Sequence, residues 1–112
     1  MNLQPLSVFL NSKERNSWID IHPFNIYIRK SKRYWCDSYY SVLDISSISV
    51  IDSKYYGKGH FTKLIFAIEG FKPLNGIYIE NVLEPRFASF FERIGYIKER
   101  SSNPVPCFYK IL

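Results

Sequence analysis

The most constraining feature of this chain is the stretch Ile45 to Gly70, ISSISVIDSKYYGKGHFTKLIFAIEG. Its first part sets Ser47, Ser49 and Ile51 against Ile48 and Val50, a period of two that predicts a strand. Gly57 and Gly59 then flank Lys58. With no Cβ on either glycine, the chain can turn sharply and bring backbone N–H groups close to a ligand. From Phe61 the period changes: Phe61, Leu64, Ile65 and Ile68 fall on one helical stripe, and Gly70 predicts the helix end. A strand feeding a glycine turn and a helix offers free N–H groups and the positive end of the helix dipole to an anion. The turn is no Walker P-loop, because no Gly-Lys-Ser/Thr follows at the required spacing. It is no Rossmann fingerprint either, because the helix carries no third glycine. An anion-binding turn of another kind and a plain structural turn both remain.

Upstream, Leu6 to Leu10 predicts a first strand or a short helix, and residues 11–17 a turn or brief helix. After Pro23, Phe24 to Arg29 alternates as a half-buried strand. Arg29, Lys30, Lys32 and Arg33 form the densest basic cluster, placed at a hairpin turn from which Tyr34 to Cys36 returns as strand. Tyr39 to Ile51 reads as one long bent strand, or two with a break near Asp44. Downstream, Lys72 to Gly76 is a turn and Gly76 to Val82 a strand, with Ile77 and Ile79 on one face and Tyr78 and Glu80 on the other. Leu83 to Tyr96 then reads as a helix. Pro85 suits its first turn, and Phe87, Phe90, Phe91 and Ile94 form its buried stripe. Tyr96 to Arg100, a Ser-Ser-Asn-Pro turn and Val105 to Leu112 read as a final antiparallel pair.

The order is therefore strands, helix, strand, helix, two strands. A short helix between strands favours a right-handed parallel crossover. The fold class is thus α+β, a mixed, mostly antiparallel central sheet containing one parallel pair. A chain of 112 residues suits one domain over residues 1–112, and 46% hydrophobic residues give it a core to bury. No apolar run reaches bilayer-spanning length and no signal-peptide pattern opens the chain, which predicts a cytoplasmic protein. Cys36 and Cys107 lie too far apart for a disulfide framework, and with His22 and His60 they give no metal-ligand spacing. The basic cluster interleaves with Tyr27, Tyr34 and Trp35, a pattern that suits a nucleic-acid backbone with stacked bases. A solvated turn beside a half-buried aromatic face is the commoner use of such residues.

Tyr55 to Ile65 resembles the acetyl-coenzyme A loop of the GNAT acyltransferases, whose pattern is Gln/Arg-x-x-Gly-x-Gly/Ala between a strand and a helix. Tyr56 takes the Gln/Arg position, Gly59 the central glycine and Phe61 the last position; starting at Lys54 instead puts Gly57 and Gly59 on the two glycines. Gly76 to Tyr96 is similar to the family's second signature, in which a strand leads to an Asn-started helix closed by Gly-Phe. Here Glu84 stands at the Asn position and Gly95-Tyr96 at the close. The resemblance spans roughly Ile45 to Leu112, and the region before the first long strands is short for the family's two helices. These features together look like small acyltransferase-like proteins of phage or mobile-element type.

The resemblance implies that the parallel strands splay and that acetyl-CoA, or another acyl-CoA, lies in the gap. Backbone N–H groups of Gly57, Lys58, Gly59, His60, Phe61 and Thr62 would hold the pyrophosphate, with Tyr56 and Glu84 beside it and Lys54 and Lys63 adding charge. The strand edge at Val50, Ile51 and Asp52 would pair with the pantetheine arm. Acyl transfer to an amine needs a base. Glu80 is the leading candidate, with Asp44 and Asp52 behind it, and His60 covers the cofactor. Phe91 stands where the family often has a tyrosine acid, leaving Tyr96, Tyr109 and Cys107 as substitutes. The acceptor is a primary amine on a protein, a modified nucleobase or a small molecule. A formal charge of +5 agrees with coenzyme A, an acidic protein or nucleic acid as partner. The competing expectation is a GNAT-fold protein that binds nucleic acid or a protein partner without catalysis, and exposed sheet edges allow a homodimer.

Overall fold

The computed structural model describes residues 1–55, 57–72, 74–82, 85–100 and 105–112. Helix α1 (Gln4–Leu10) precedes strands β1 (Asn16–Ile21), β2 (Phe24–Trp35) and β3 (Ser38–Val50). A 3-10 turn (Ser53–Tyr55) leads to α2 (His60–Phe71), then β4 (Gly76–Ile79), α3 (Pro85–Arg93), β5 (Ile97–Lys98) and β6 (Phe108–Ile111). The described strands form one six-stranded sheet in the order β1-β2-β3-β4-β6-β5. β3 and β4 run parallel, and every other neighbouring pair is antiparallel. This is the α+β mixed sheet that the element order predicts.

Strand alternation sorts side chains onto two faces. One face carries Phe24, Ile26, Ile28, Leu43, Ile45, Ile77, Ile79 and Phe108, buried in one cluster with Leu6 and Phe9 of α1, Leu64, Ile65 and Ile68 of α2, and Phe91 of α3. The predicted stripe of α2 is thus its buried face, with Phe61 packed partly buried at the margin. The other face holds a smaller aromatic cluster, Trp35, Val42, Tyr78 and Cys107, flanked by Tyr40 and Tyr109.

Several boundaries differ from the sequence reading, each for a local reason. The basic cluster is not at a turn. β2 runs straight through it because Arg29, Ser31 and Arg33 meet carboxylates on the aromatic face, while Lys30 lies over the Phe9 ring and bonds Ser12 O. The reversal comes at Cys36 and Asp37, both at positive φ (51° and 63°), the conformation that a two-residue hairpin turn requires. β1 was not foreseen; it exists because β2 is long enough to pair with it from Phe24 to Arg29. α2 continues past Gly70 to Phe71, and Lys72 takes the left-handed position at φ 52° instead. β4 stops at Ile79, since Asn81 turns to φ 57°. α3 is shorter than Leu83 to Tyr96; Leu83 and the Ser101–Pro104 turn lie outside the described residues.

β4 depends on one small residue. Gly76 is buried where β4 meets β6, and a Cβ there would stand 2.9 Å from Lys110 O and 3.3 Å from Val42 Cγ1. Backbone cannot step aside as a side-chain tip can. Gly76→Ala is therefore expected to cost about 1–3 kcal/mol through overpacking, read as a lowered denaturation midpoint.

Candidate functional site

β3 and β4 pair only through Leu43↔Ile77, Asp44↔Tyr78 and Ile45↔Ile79. The last link is the Glu80 N–H donating to Ile45 O at 3.0 Å. Beyond it the strands part. β3 runs on to Val50, paired with β2 alone, while the chain after β4 turns aside and Val82 N–H donates to Pro106 O at 2.8 Å. A bulge marks the same place: β2–β3 pairing steps from Ile28↔Ile45 to Tyr27↔Ser47, which leaves Ser46 as the extra residue.

The gap is a cleft of about 1110 Å³, slightly larger than small-molecule sites, which run roughly 300–1,000 Å³. Ser46 to Val50 form one wall, Ile79 to Val82 the other, and Gly57 to Thr62 the mouth, with Phe87, Phe90 and Phe91 closing one side. The free edge of β3 lies along it, a place where an extended ligand can pair its amides as an added strand does. The Phe61 ring stacks on Phe87 with centroids 4.6 Å apart, tying the mouth of the cleft to α3.

At the mouth, Gly57 and Gly59 sit at φ 71° and 76°. A side chain there is disfavoured by backbone conformation, at roughly 1–2 kcal/mol, and not by crowding: an added Cβ at either would meet nothing within 4 Å. The space beside the turn is therefore open to a ligand. Gly59 is the N-cap of α2, no side chain caps the helix, and its first turn carries no acidic residue. The first-turn N–H groups thus have no intrahelical acceptor and, among the described residues, no capping side chain, an arrangement that favours an anion. His60 opens α2 with its ring edge-on to Tyr55, and Tyr55 in turn meets His22 from the β1–β2 turn. A phosphate-bearing ligand with an amide arm fits the residues present.

Glu80 lies at the apex, its side chain 16% exposed, in an ion pair with Arg29 and 3.7 Å from Arg33 Nη2. Asp44 sits behind it, 1% exposed. It accepts hydrogen bonds from Arg33 Nη2 (2.7 Å), from Arg33 Nε (3.4 Å) and from Ser31 Oγ (2.8 Å). Burial, the largest single influence, would ease the proton off the Arg33 guanidinium, but the hydrogen bond to Asp44 and the nearby charges of Asp44, Tyr78 and Glu99 together outweigh it and raise the Arg33 pKa. The guanidinium also covers the Tyr78 ring at 3.6 Å.

The structure brings Glu80, Val50, Gly57, Lys58, Gly59, His60, Phe61 and Thr62 to one cleft. Tyr56 and Glu84 lie outside the described residues. Ile51 does not line the cleft; it is exposed, and its N–H is given to Pro23 O at 2.9 Å. Tyr96 is buried against Phe91 in the core, where burial and then Glu69 push its hydroxyl pKa far above the ordinary value. Tyr109 lies on the aromatic face, its ring 4.1 Å from Trp35, and Cys107 is buried in the same cluster. Neither tyrosine is among the residues lining the cleft. Asp52 caps the 3-10 turn by accepting the Lys54 N–H. Sequence reasoning missed Ser46, Tyr55 and Asn81. A bulge, a ring contact and a left-handed asparagine leave no periodic trace.

No protein-family model and no curated protein sequence matches this chain. Solved structures do. A mutant AtaT toxin bound to the C-terminus of the antitoxin AtaR matches at TM-score 0.52 and 14% identity, over 79% of this chain and 57% of that one. The same assembly with acetyl-CoA gives TM-score 0.51, 14% identity and the same coverage, 79% and 57%. The KacTA–DNA complex gives TM-score 0.51 and 12% identity, over 84% and 64%. The chain thus spans 57% to 64% of the length of the structures it matches. At 12% to 14% identity the likeness is one of fold: this chain shares the α+β mixed-sheet fold of those solved structures.

Proposed function

We propose that this protein is an acyl-CoA-dependent N-acyltransferase that moves an acyl group, most simply acetyl, to a primary amine. One observation carries the reading: an uncapped helix N-terminus behind two left-handed glycines opens onto the splay of a parallel strand pair. The pyrophosphate of the donor sits on the N–H groups from Gly57 to Thr62, with Lys58 between the glycines. Its pantetheine amides run along the free edge of β3, bringing the thioester to the apex beside Glu80. Glu80 takes the proton of the incoming ammonium, and Arg29 and Arg33 fix its carboxylate. Departure as a thiolate needs no acid, so Tyr96 and Tyr109 have no part in the step. A structural neighbour bound to acetyl-CoA supports the choice of donor.

Calorimetry with acetyl-CoA tests this directly. The parent is expected to bind, and Gly59→Glu to lose at least about 100-fold in affinity, because it sets a carboxylate against the phosphates while circular dichroism shows both proteins folded. A folded parent that takes up no acetyl-CoA sinks the reading.

A second reading, contact with another macromolecule, draws on a groove of about 710 Å³ lined by Lys32, Arg33, Lys98 and Arg100 beside Trp35 and Tyr109. Neighbouring structures hold an antitoxin segment or DNA. Nucleic-acid binding that falls steeply with salt, in a protein with no affinity for acetyl-CoA, would select it.

A further inference from the structure

Ser46 is the one residue of β3 left out of the β2 pairing where the strands part, and it follows Ile45, whose carbonyl takes the last bond from β4. Ile45 and Ile79 are partners, so Ser46 stands across the opening from Glu80. The residue is half-buried and lines the cleft. Among the described residues its Oγ nevertheless has no hydrogen-bond partner, and it is closed off from solvent. Buried hydroxyls without a partner are rare, because each forfeits its hydration for no return. A serine hydroxyl moves on a single torsion with three staggered wells, so one rotation about χ1 separates this Oγ from the cleft.

Resting on the acyl-CoA reading above, we propose that the Ser46 hydroxyl is the donor that binds the thioester carbonyl oxygen of the acyl group at the apex of the cleft. Once Glu80 has taken one proton from the ammonium, the amine attacking that carbonyl forms the C–N bond, the C–S bond breaks, and the departing thiolate takes up the proton that the nitrogen then sheds. Negative charge gathers on the carbonyl oxygen during this exchange. Ser46 O–H donates to that oxygen and gives up nothing, which is the placement that electrostatic stabilisation of acyl transfer requires. Glu80 and Ser46 then divide the work across the splay: proton on one wall, oxygen on the other. Free CoA lacks the carbonyl, so the contact distinguishes loaded donor from spent product.

The test is binding of acetyl-CoA and of CoA, by calorimetry, to the parent and to Ser46→Ala, together with thermal denaturation of both proteins without ligand. The parent is expected to prefer acetyl-CoA over CoA by about 3- to 10-fold, the worth of one hydrogen bond. Ser46→Ala is expected to erase that preference and leave CoA affinity unchanged. Its ligand-free midpoint should stay level or rise, because an unpartnered hydroxyl has been removed. An unchanged preference in Ser46→Ala, with both ligands bound, overturns the role of Ser46 and leaves the donor site standing. A clear drop in the ligand-free midpoint overturns it as well, by showing that the hydroxyl serves the fold. If the parent binds neither ligand, the donor reading fails and takes this one with it.

Discussion

Replacing Arg33 with alanine is expected to destabilise the protein by about 3 kcal/mol, the lower end of the cost of breaking a buried ion pair. The reason is Asp44. At 1% exposure its carboxylate has almost no water, and Arg33 supplies both its counter-charge and two of its hydrogen bonds. Ser31 Oγ would remain as a single neutral donor. The lower end applies because the Arg33 side chain is 26% exposed, so water can fill part of the space it leaves. Urea denaturation with a double-mutant cycle checks the argument. Arg33→Ala with Asp44→Ala should cost less than the sum of the singles, because no charge is then stranded. An additive pair would mean that the two side chains act separately.

Glu80→Gln is expected to lower the rate of acyl transfer by about 100- to 10,000-fold, the range for a lost general base, and to leave acetyl-CoA affinity within twofold, roughly within RT of the parent. Glutamine keeps the shape and can still accept from Arg29 through its amide oxygen, so geometry is held while the capacity to take a proton is removed. The readout is CoA thiol released with whichever amine the parent acylates. A variant that turns over at the parent rate would move the base away from Glu80. A variant that loses donor binding would recast Glu80 as part of the cofactor site.

The sequence made the functional core legible where chemistry and periodicity coincide. Gly57 and Gly59 announce a turn, the stripe Leu64, Ile65 and Ile68 announces a helix, and both fall where expected. Alternation in Ile77 to Ile79 identifies the second splayed strand, and Glu80 directly after it lines the cleft. Long-range partners were not legible. Charge density around Ser31 looks like a solvated turn until Asp44 of β3 and Glu80, just past the end of β4, arrive to meet it. Tyr96 and Tyr109 carry the right functional group for an acid, but whether a tyrosine faces the cleft depends on which way β6 and the end of α3 fold back. Spacing alone carries no information on that.

The bulge at Ser46 has a consequence for how β3 can change. Before it, the odd-numbered Leu43 and Ile45 point into the helix-covered core; after it, the even-numbered Ile48 and Val50 do. The strand changes parity once, at the base of the cleft. The extra serine is what changes the phase, so with Ser46 deleted Ile45, Ile48 and Val50 would fall on an unbroken period of two and stay on the helix side, with the bulge gone. A residue inserted between Ser47 and Ile48 acts as a frameshift in space instead: Ile48 and Val50 would turn away from the helices and polar serines toward them. At the base of the cleft the strand can lose a residue and keep its faces, whereas gaining one requires the whole mouth of the cleft to be rewritten.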